Sequence, residues 1–231
     1  QVTAGQGRIG QFSFLVLMFF LMIVGIIYVE QGQRRIPIQF AKRVRGRKVM
    51  GGQSTYIPLK VNSAGVIPVI FATSVLFFPA LIATSLPQDN NITAGIRNWI
   101  DVNLANSQGT SWFYIFFLGM LIIFFTYFYT TIQFDPVRQS DMIRRQGGFV
   151  PGVRPGISTT NYLSHIISRI TLPGSVFLAS VAVLPSIASA IWDIPLGFSG
   201  ISILITVGVA LETMKQIESQ LSMRNYEGFV D

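Results

Sequence analysis

Five long apolar stretches constrain this chain more than any other feature of its sequence. Each approaches the roughly 20 helical residues that cross a hydrocarbon core about 30 Å thick. They cover residues 12–29, 64–86, 112–134, 170–191 and 196–211; the last is short, and Pro185 interrupts the fourth. Only 12% of the 231 residues are charged, whereas soluble domains carry about a quarter. The pattern predicts an all-α membrane protein with five transmembrane helices.

The Lys and Arg residues are distributed very unevenly about these predicted spans. Of the 17, all but Arg8 and Arg97 fall in the connections 31–60 and 135–169 or in the tail 212–231. Basic connections stay on the cytoplasmic side of a membrane. We therefore expect both connections and the C-terminal tail to be cytoplasmic.

The connection between the second and third spans lies on the other side of the membrane in this topology. It carries Ile96, Trp99, Ile100 and Leu104 at helical spacing. An amphipathic pattern of this kind is typical of a helix that lies on a membrane surface. We expect a short helix on the outer surface.

One short motif raises the question of an enzyme. Residues 197–200 (GFSG) are similar to the Gly-x-Ser-Gly motif of rhomboid proteases, but the only histidine is His165. The predicted topology places Ser199 and His165 about 30 Å apart, at opposite faces of the bilayer, whereas a nucleophile and its base lie within about 3 Å. With no cysteine, no phosphate-binding loop and no metal-ligand spacing, we expect no catalytic residue, metal or cofactor.

The first basic connection, residues 31–60, has the pattern of a β-hairpin. Arg35–Phe40 alternates apolar and polar residues, a basic tip follows around Gly46, and a second extended stretch runs through Tyr56. Alternation around a glycine turn predicts paired strands, with Pro37 on an edge strand. The cations have two interpretations: orientation against anionic lipid, or docking to a large anionic partner such as ribosomal RNA.

The second basic connection, residues 135–169, combines a helix with a stiff loop. The pattern of residues 135–146 predicts a short helix that continues the third span. The segment GGFVPGVRPG (147–156) then ends that helix. Pro155 fixes its own backbone and restricts Arg154 to extended geometry. We expect this loop to hold the Arg154 guanidinium in place for a partner.

Three segments together resemble the SecY family, the protein-conducting channels of the general secretion pathway. They are EQGQRRI (30–36), QSTYIPLKVNSAGVIP (53–68) and GFVPGVRPG (148–156). The resemblance is collinear from about residue 12 to the end. It implies one inverted-repeat half of a ten-helix SecY-type channel, the C-terminal half, multi-pass in the plasma (inner) membrane or a thylakoid membrane.

The resemblance also implies roles for residues in the spans. Ile70 and Ile205 match the ring of apolar side chains that closes the pore, where a narrow apolar constriction blocks ions yet parts around a peptide. Thr73, Ser74, Phe78 and Pro79 match the lateral gate, through which signal sequences leave into lipid. From the residues alone, ordinary helix packing for the isoleucines and simple kinks for the prolines stay open.

The same resemblance implies partners for the basic connections. The ribosome or the SecA motor would dock on Arg34, Arg35, Arg45, Arg47, Lys48 and Arg154. Other implied partners are the SecE and SecG subunits, the translocating polypeptide with its signal sequence, membrane lipid and the N-terminal half of the same protein. The alternative, a secondary transporter of small solutes, calls for a polar site near midplane, where these spans offer chiefly Thr, Ser and Gly.

Overall fold

The computed structural model describes residues 2–40, 43–45, 48–50, 54–85, 91–104, 111–192 and 199–227. These ranges form seven helices and five strands. In chain order they are α1 (Val2–Gln31), β1 (Gln33–Phe40), β2 (Arg43–Arg45), β3 (Lys48–Met50), β4 (Ser54–Lys60), α2 (Ile67–Ser85), α3 (Asn91–Asn103), α4 (Trp112–Gln133), α5 (Pro136–Arg145), β5 (Gly148–Phe149), α6 (Ile157–Trp192) and α7 (Gly200–Glu227).

The prediction of five membrane-spanning helices is confirmed. The helices α1, α2, α4, α6 and α7 each contain a stretch long and apolar enough to cross a bilayer. The α6 helix packs against α4 and α7, while α2 packs against α4 and α1 against α7. Aliphatic side chains from all five helices form one buried cluster, the membrane core, with Met22, Leu118, Ile122, Leu178 and Leu204 among its members.

The α6 helix is longer and more regular than the sequence predicts. Its 36 residues extend over about 54 Å at 1.5 Å per residue, well beyond the predicted span 170–191. Pro185 lies inside the helix without ending it, so the predicted interruption is wrong. Proline has no N–H for the carbonyl of the residue four before it, here Val181. The start of α7 covers that carbonyl, because a Cβ on Gly200 would collide with it.

The α7 helix also differs from its predicted bounds. It begins at Gly200 beside Val181 and Ala182 of α6 and runs to Glu227, so residues 212–227 of the predicted tail continue the helix. The predicted span boundaries at residues 86 and 196 lie outside the described residues. The α7 helix starts against the C-terminal third of α6 and passes Val66, at the start of α2, with Gly208.

The predicted β-hairpin is confirmed and belongs to a larger sheet. The β1 strand pairs antiparallel with β4, from Gln33 opposite Lys60 to Gln39 opposite Ser54. On its other edge β1 pairs with β5 at residues 39 and 40, which gives the order β4-β1-β5. Pro37 therefore lies on the central strand rather than the predicted edge strand. It is tolerated because β5 pairs with β1 beyond it, opposite Gln39 and Phe40.

The short helix α5 is separate from α4 and does not continue it. Phe134 has an extended backbone, and the Asp135 carboxylate accepts hydrogen bonds from the backbone N–H groups of Val137 (2.9 Å) and Arg138 (3.3 Å). This is an N-cap followed by a proline at the first helical position, a strong helix start. The prediction of a continuous helix is wrong at this point.

A second buried cluster joins the sheet to the helices beside it. Its buried members are Ile36, Ile38, Leu59, Ile143, Val150, Leu163 and Ile166. We call the unit formed by β1, β4, β5, α5 and residues 146–169 the polar layer. Alternate β1 residues point into this cluster, which is why the apolar–polar alternation of that segment predicts the strand.

Candidate functional site

The glycine-rich loop between α5 and α6 is fixed to the polar layer. Gly147, Gly152 and Gly156 have φ angles of 74°, 82° and 109°, which residues with a Cβ rarely adopt. Gly148 is required by packing instead, because a Cβ there would lie 3.0 Å from side-chain atoms of Ile38 and Phe40. The glycines thus let the chain turn sharply while it stays against the sheet.

Arg154 lies at the exposed tip of this loop. Its own carbonyl accepts a hydrogen bond from Thr159 Oγ1 (3.0 Å), and the Gly156 carbonyl accepts one from Ser140 Oγ on α5 (3.1 Å). On the other side, Val150 is buried in the layer and its carbonyl accepts from the Val153 N–H (3.1 Å). The backbone on both sides of Arg154 is therefore held, in agreement with the expectation of a stiff support.

The structure brings the two basic connections together. The pairing of β5 with β1, Gln39 opposite Phe149 and Phe40 opposite Gly148, makes the glycine-rich loop part of the sheet that carries the hairpin. In the sequence these are two separate connections, and the paired residues 40 and 148 are 108 positions apart. A two-residue strand containing glycine carries no periodic signal, so sequence reasoning missed it.

The cations predicted to dock a partner are only partly described. Arg34 and Arg35 are exposed on β1, and the Arg35 guanidinium lies 4.8 Å from the centre of the Tyr56 ring. Arg45 and Lys48 lie opposite each other on β2 and β3, whereas Arg47 lies outside the described residues. Among the described side chains one ion pair is present, Arg97 with Asp101. Arg34, Arg35 and Arg154 therefore face solvent without a carboxylate partner in that part of the chain.

The two isoleucines matched to a pore ring lie outside the membrane core. Ile70 on α2 is 45% exposed and Ile205 on α7 is 37% exposed. A Cβ on Gly208 would lie 3.7 Å from Val66 at the start of α2, so α7 passes α2 there. Ile70 follows Val66 by four residues and Ile205 precedes Gly208 by three, about one helical turn each. The two helices run in opposite directions. Both isoleucines therefore lie about one turn from that contact, on the side of it away from the polar layer.

The hydroxyl groups matched to the lateral gate bond within their own helix. Thr73 Oγ1 donates to the Val69 and Ile70 carbonyls (3.1 and 2.9 Å), and Ser74 Oγ donates to the Ile70 carbonyl (2.8 Å). Ser and Thr satisfied in this way can face an apolar environment without a free polar group. Among the described residues, their hydroxyl groups make no hydrogen bond to a neighbouring helix.

The remaining gate residues lie on the same helix, near its far end. Phe78 is exposed, and Pro79 lies inside α2, where it leaves the Val75 carbonyl without its helical donor. On another face of α2, Phe71 contacts Phe125 and Tyr129 of α4, with ring centres 6.0 and 5.4 Å apart. The α2–α4 pair is thus joined by aromatic contacts and leaves the Phe78 side chain open.

A polar joint connects the end of α1 to the end of β4. Asn62 is 6% exposed, its Nδ2 donates to Glu30 Oε2 (2.9 Å), and its Oδ1 has no hydrogen-bond partner among the described residues. The Val61 N–H donates to the Gly32 carbonyl (3.0 Å), and Gly174 of α6 packs closely on the Val61 carbonyl. Both Glu30 and Asn62 lie in the segments that carry the family resemblance, but sequence reasoning assigned them no role.

Ser199 has a structural partner at the start of α7. Its Oγ lies 3.0 Å from Ser202 Oγ and accepts from the Ser202 N–H (3.3 Å), as an N-cap does. His165 precedes Val181, which neighbours the start of α7, by 16 residues of α6, about 24 Å along the helix. The two side chains are not brought together. Gly197 lies outside the described residues.

These features define a class: a multi-pass helical membrane protein in which a layer beside the spans carries cations that have no ion-pair partner among the described residues. A sequence model of the SecY family matches residues 2–214. The protein translocase subunit SecY of Streptomyces coelicolor is 50% identical over 222 residues, 95% of this chain and 49% of that protein. The Mycobacterium leprae subunit is 48% identical over 227 residues, 95% and 51% of the two chains. The chain belongs to the SecY family.

Solved structures agree on the fold. One, described as a protein conducting channel, matches with a TM-score of 0.55 at 17% identity, over 88% of this chain and 48% of that one. A second, a SecY protein described by its plug domain and closed translocation channel, matches with a TM-score of 0.53 at 15% identity, over 88% and 49%. The chain spans about half the length of the curated relatives it matches. These relatives give no support to the transporter alternative.

Proposed function

We propose that this chain is the C-terminal half of a channel that conducts unfolded secretory polypeptides across a membrane and releases signal sequences and membrane helices sideways into lipid. The family match over residues 2–214 carries this proposal, because it includes all five spans and both basic connections. The N-terminal half of the same protein completes the channel. SecE and SecG are its small membrane partners, and the chain itself performs no chemistry.

In this proposal Ile70 and Ile205 belong to the pore ring. Their exposure in the isolated half and their shared distance from the contact between Val66 and Gly208 support it. Such side chains can meet others from the opposite half around a narrow apolar constriction. An ordinary packing role would instead place them in the membrane core of this chain.

The lateral gate in this proposal is the open face of α2. Thr73 and Ser74 have their hydroxyls satisfied within the helix, and Phe78 is exposed beside Pro79. A face without free polar groups can contact lipid when the gate is open, or an apolar signal sequence when one is bound.

The polar layer is the docking surface for the ribosome or the SecA motor, on the cytoplasmic side of a plasma membrane. The one-sided distribution of Lys and Arg supports that orientation and, with it, a cytoplasmic C-terminus. Arg34 on the sheet and Arg154 on the fixed loop have no ion-pair partner among the described residues. Such cations suit an anionic partner, since they need not break an ion pair of that kind to bind. The docking residues are Arg34, Arg35 and Arg154 of this layer, together with Arg45, Arg47 and Lys48 in the stretch of chain between β1 and β4.

Reversal of charge at Arg154 tests this proposal. In the full-length protein reconstituted with SecE and SecG, Arg154→Glu should reduce SecA-driven export about tenfold, because like charges placed against each other at an interface cost several kcal/mol. Arg138→Glu is the matched control, since Arg138 is also exposed in the polar layer but lies on α5. Equal export by the two variants would contradict the role of Arg154, and equal thermal unfolding is required of both.

A further inference from the structure

The α3 helix lies at the end of the bundle opposite the polar layer. It follows α2, which leads away from that layer over 19 residues, and Leu104 just beyond its end packs against the membrane core. The helix is too short to span a bilayer: its 13 residues cover about 20 Å. It therefore lies beside the start of α4, where a membrane surface would be.

The sides of α3 differ in polarity. Arg97, Ile100 and Leu104 are half-buried and recur at the spacing of one helix face, which rests on the protein. Ile96, Trp99 and Val102 form a second flank and are 48%, 52% and 57% exposed. The flank across the helix carries the exposed Asn98 and Asp101.

The apolar flank continues into the exposed surface of a membrane-spanning helix. The Trp99 ring meets Phe113 of α4 edge-on, with centres 5.7 Å apart, and Phe113 stacks on Phe117 at 5.8 Å. Further along α4 the exposed side chains are large and apolar, among them Phe116, Met120 and Phe124. Among the described residues, one apolar surface thus extends from α3 onto α4 through Trp99, Phe113 and Phe117.

The α3 helix carries no net charge that would attract a charged partner to its apolar flank. Arg97 and Asp101 form an ion pair (3.8 Å) one turn apart and are the only charged residues between 91 and 103. The helix is therefore neutral, so neither an anionic nor a cationic partner is specifically attracted. A neutral helix with one apolar flank and one polar flank matches the boundary between acyl chains and headgroups, where tryptophan is enriched.

We propose that α3 lies in the headgroup region of the bilayer on the side away from the polar layer, with Ile96, Trp99 and Val102 inserted among lipid acyl chains. It is held there by the contact between Trp99 and Phe113 and anchors the membrane end of α4. The partner is the zwitterionic phospholipid surface itself. This inference needs only the membrane location of the chain, so it can stand or fall separately from the channel proposal.

The test is the fluorescence of Trp99 in phosphatidylcholine vesicles that carry bromine at chosen depths. The full-length protein is prepared with Trp99 as the single tryptophan, through Trp112→Phe, Trp192→Phe and the same change at any others. Because an interfacial helix lies about 5–10 Å into the headgroup and acyl boundary, bromine near the headgroups should remove about half of the emission. Bromine near the bilayer centre should remove less, and aqueous iodide should remove little.

A matched control uses the neighbouring residue on the polar flank. In the same background, Trp99→Phe with Asn98→Trp moves the indole across the helix, where iodide should quench it and brominated lipid should not. Quenching of Trp99 by iodide would show that the flank faces water and would overturn the proposal. Shielding of Trp99 from both quenchers would also overturn it, because a protein surface would then cover the flank. Unchanged circular dichroism is required of both variants.

Discussion

The polar layer and the membrane helices are each held by a buried aliphatic cluster, yet they expose opposite kinds of side chain. The layer presents Arg34, Arg35 and Arg154 without ion-pair partners among the described residues. The helices present residues such as Phe78 and Phe116. The α6 helix belongs to both regions, since Leu163 lies in one cluster and Leu178 in the other. The comparison teaches that buried residues set stability in both regions, whereas the exposed ones set what each region can bind.

The contact between α7 and α6 should give the largest effect. Gly200→Ala places a Cβ against the Val181 carbonyl, a backbone atom that cannot move aside easily, and should lower the free energy of unfolding by about 3 kcal/mol. Gly95→Ala is the matched control, since a Cβ there meets nothing within 4 Å. It should be neutral or stabilising by up to about 1 kcal/mol. Thermal unfolding in detergent measures both variants. An equal loss of stability in both would contradict a special role for the contact between Gly200 and Val181.

The hairpin tip tests whether exposed cations decide binding. Replacing Arg45, Arg47 and Lys48 by Gln should weaken ribosome binding and reduce the slope of log affinity against log salt by about one for each lost phosphate contact. The membrane helices should unfold as before. Binding measured over a salt series separates this from the alternative of lipid orientation, under which ribosome affinity and slope would stay the same.

The joint between the two regions should give a smaller loss. Asn62→Ala removes the bond to the Glu30 carboxylate (2.9 Å) and should cost about 1 kcal/mol of unfolding free energy, since Glu30 is only partly buried. Glu30→Gln keeps an oxygen that can accept from Asn62 and should cost less. The thermal midpoints of both variants measure the difference, and the reverse order would mean that charge rather than the hydrogen bond stabilises the joint.

The smallest effect on stability is expected at the pore-ring positions. Ile205→Asn places an amide on an exposed position and should leave unfolding nearly unchanged while it raises ion leak through vesicles and admits weak signal sequences. Ile217→Asn is a control on the same helix, also exposed but outside the predicted span. Leak in neither variant, or the same leak in both, would count against the ring.

Much of the architecture follows from sequence patterns that act locally. The five spans were predicted because a bilayer demands long apolar helices, and the hairpin because β1 alternates buried Ile36 and Ile38 with exposed residues. The α3 helix between the second and third spans was predicted in the same way, from apolar residues at helical spacing. The family resemblance, not any periodicity, pointed to Ile70, Ile205 and Arg154, whose proposed roles stay predictions.

Two of the failures lie where a distant part of the chain decides the outcome. An interruption of the fourth span was predicted at Pro185, because local rules cannot foresee that the start of α7 covers the Val181 carbonyl. The joint between Glu30 and Asn62 went unnoticed, since nothing in either segment identifies the other as its partner. The separation of α5 from α4 could have been anticipated from Asp135 and Pro136, which are a known pair at helix starts.

The sequence by itself determined that this chain has five helices able to cross a membrane and that most of its cations lie in two connections and the tail, because water and lipid act on each segment independently of the others. Only the tertiary structure decided that the two basic connections share one sheet through β5, and that α6 continues past its prolines. Those outcomes depend on contacts between residues far apart in the chain, whose free energy exists only once the segments have met.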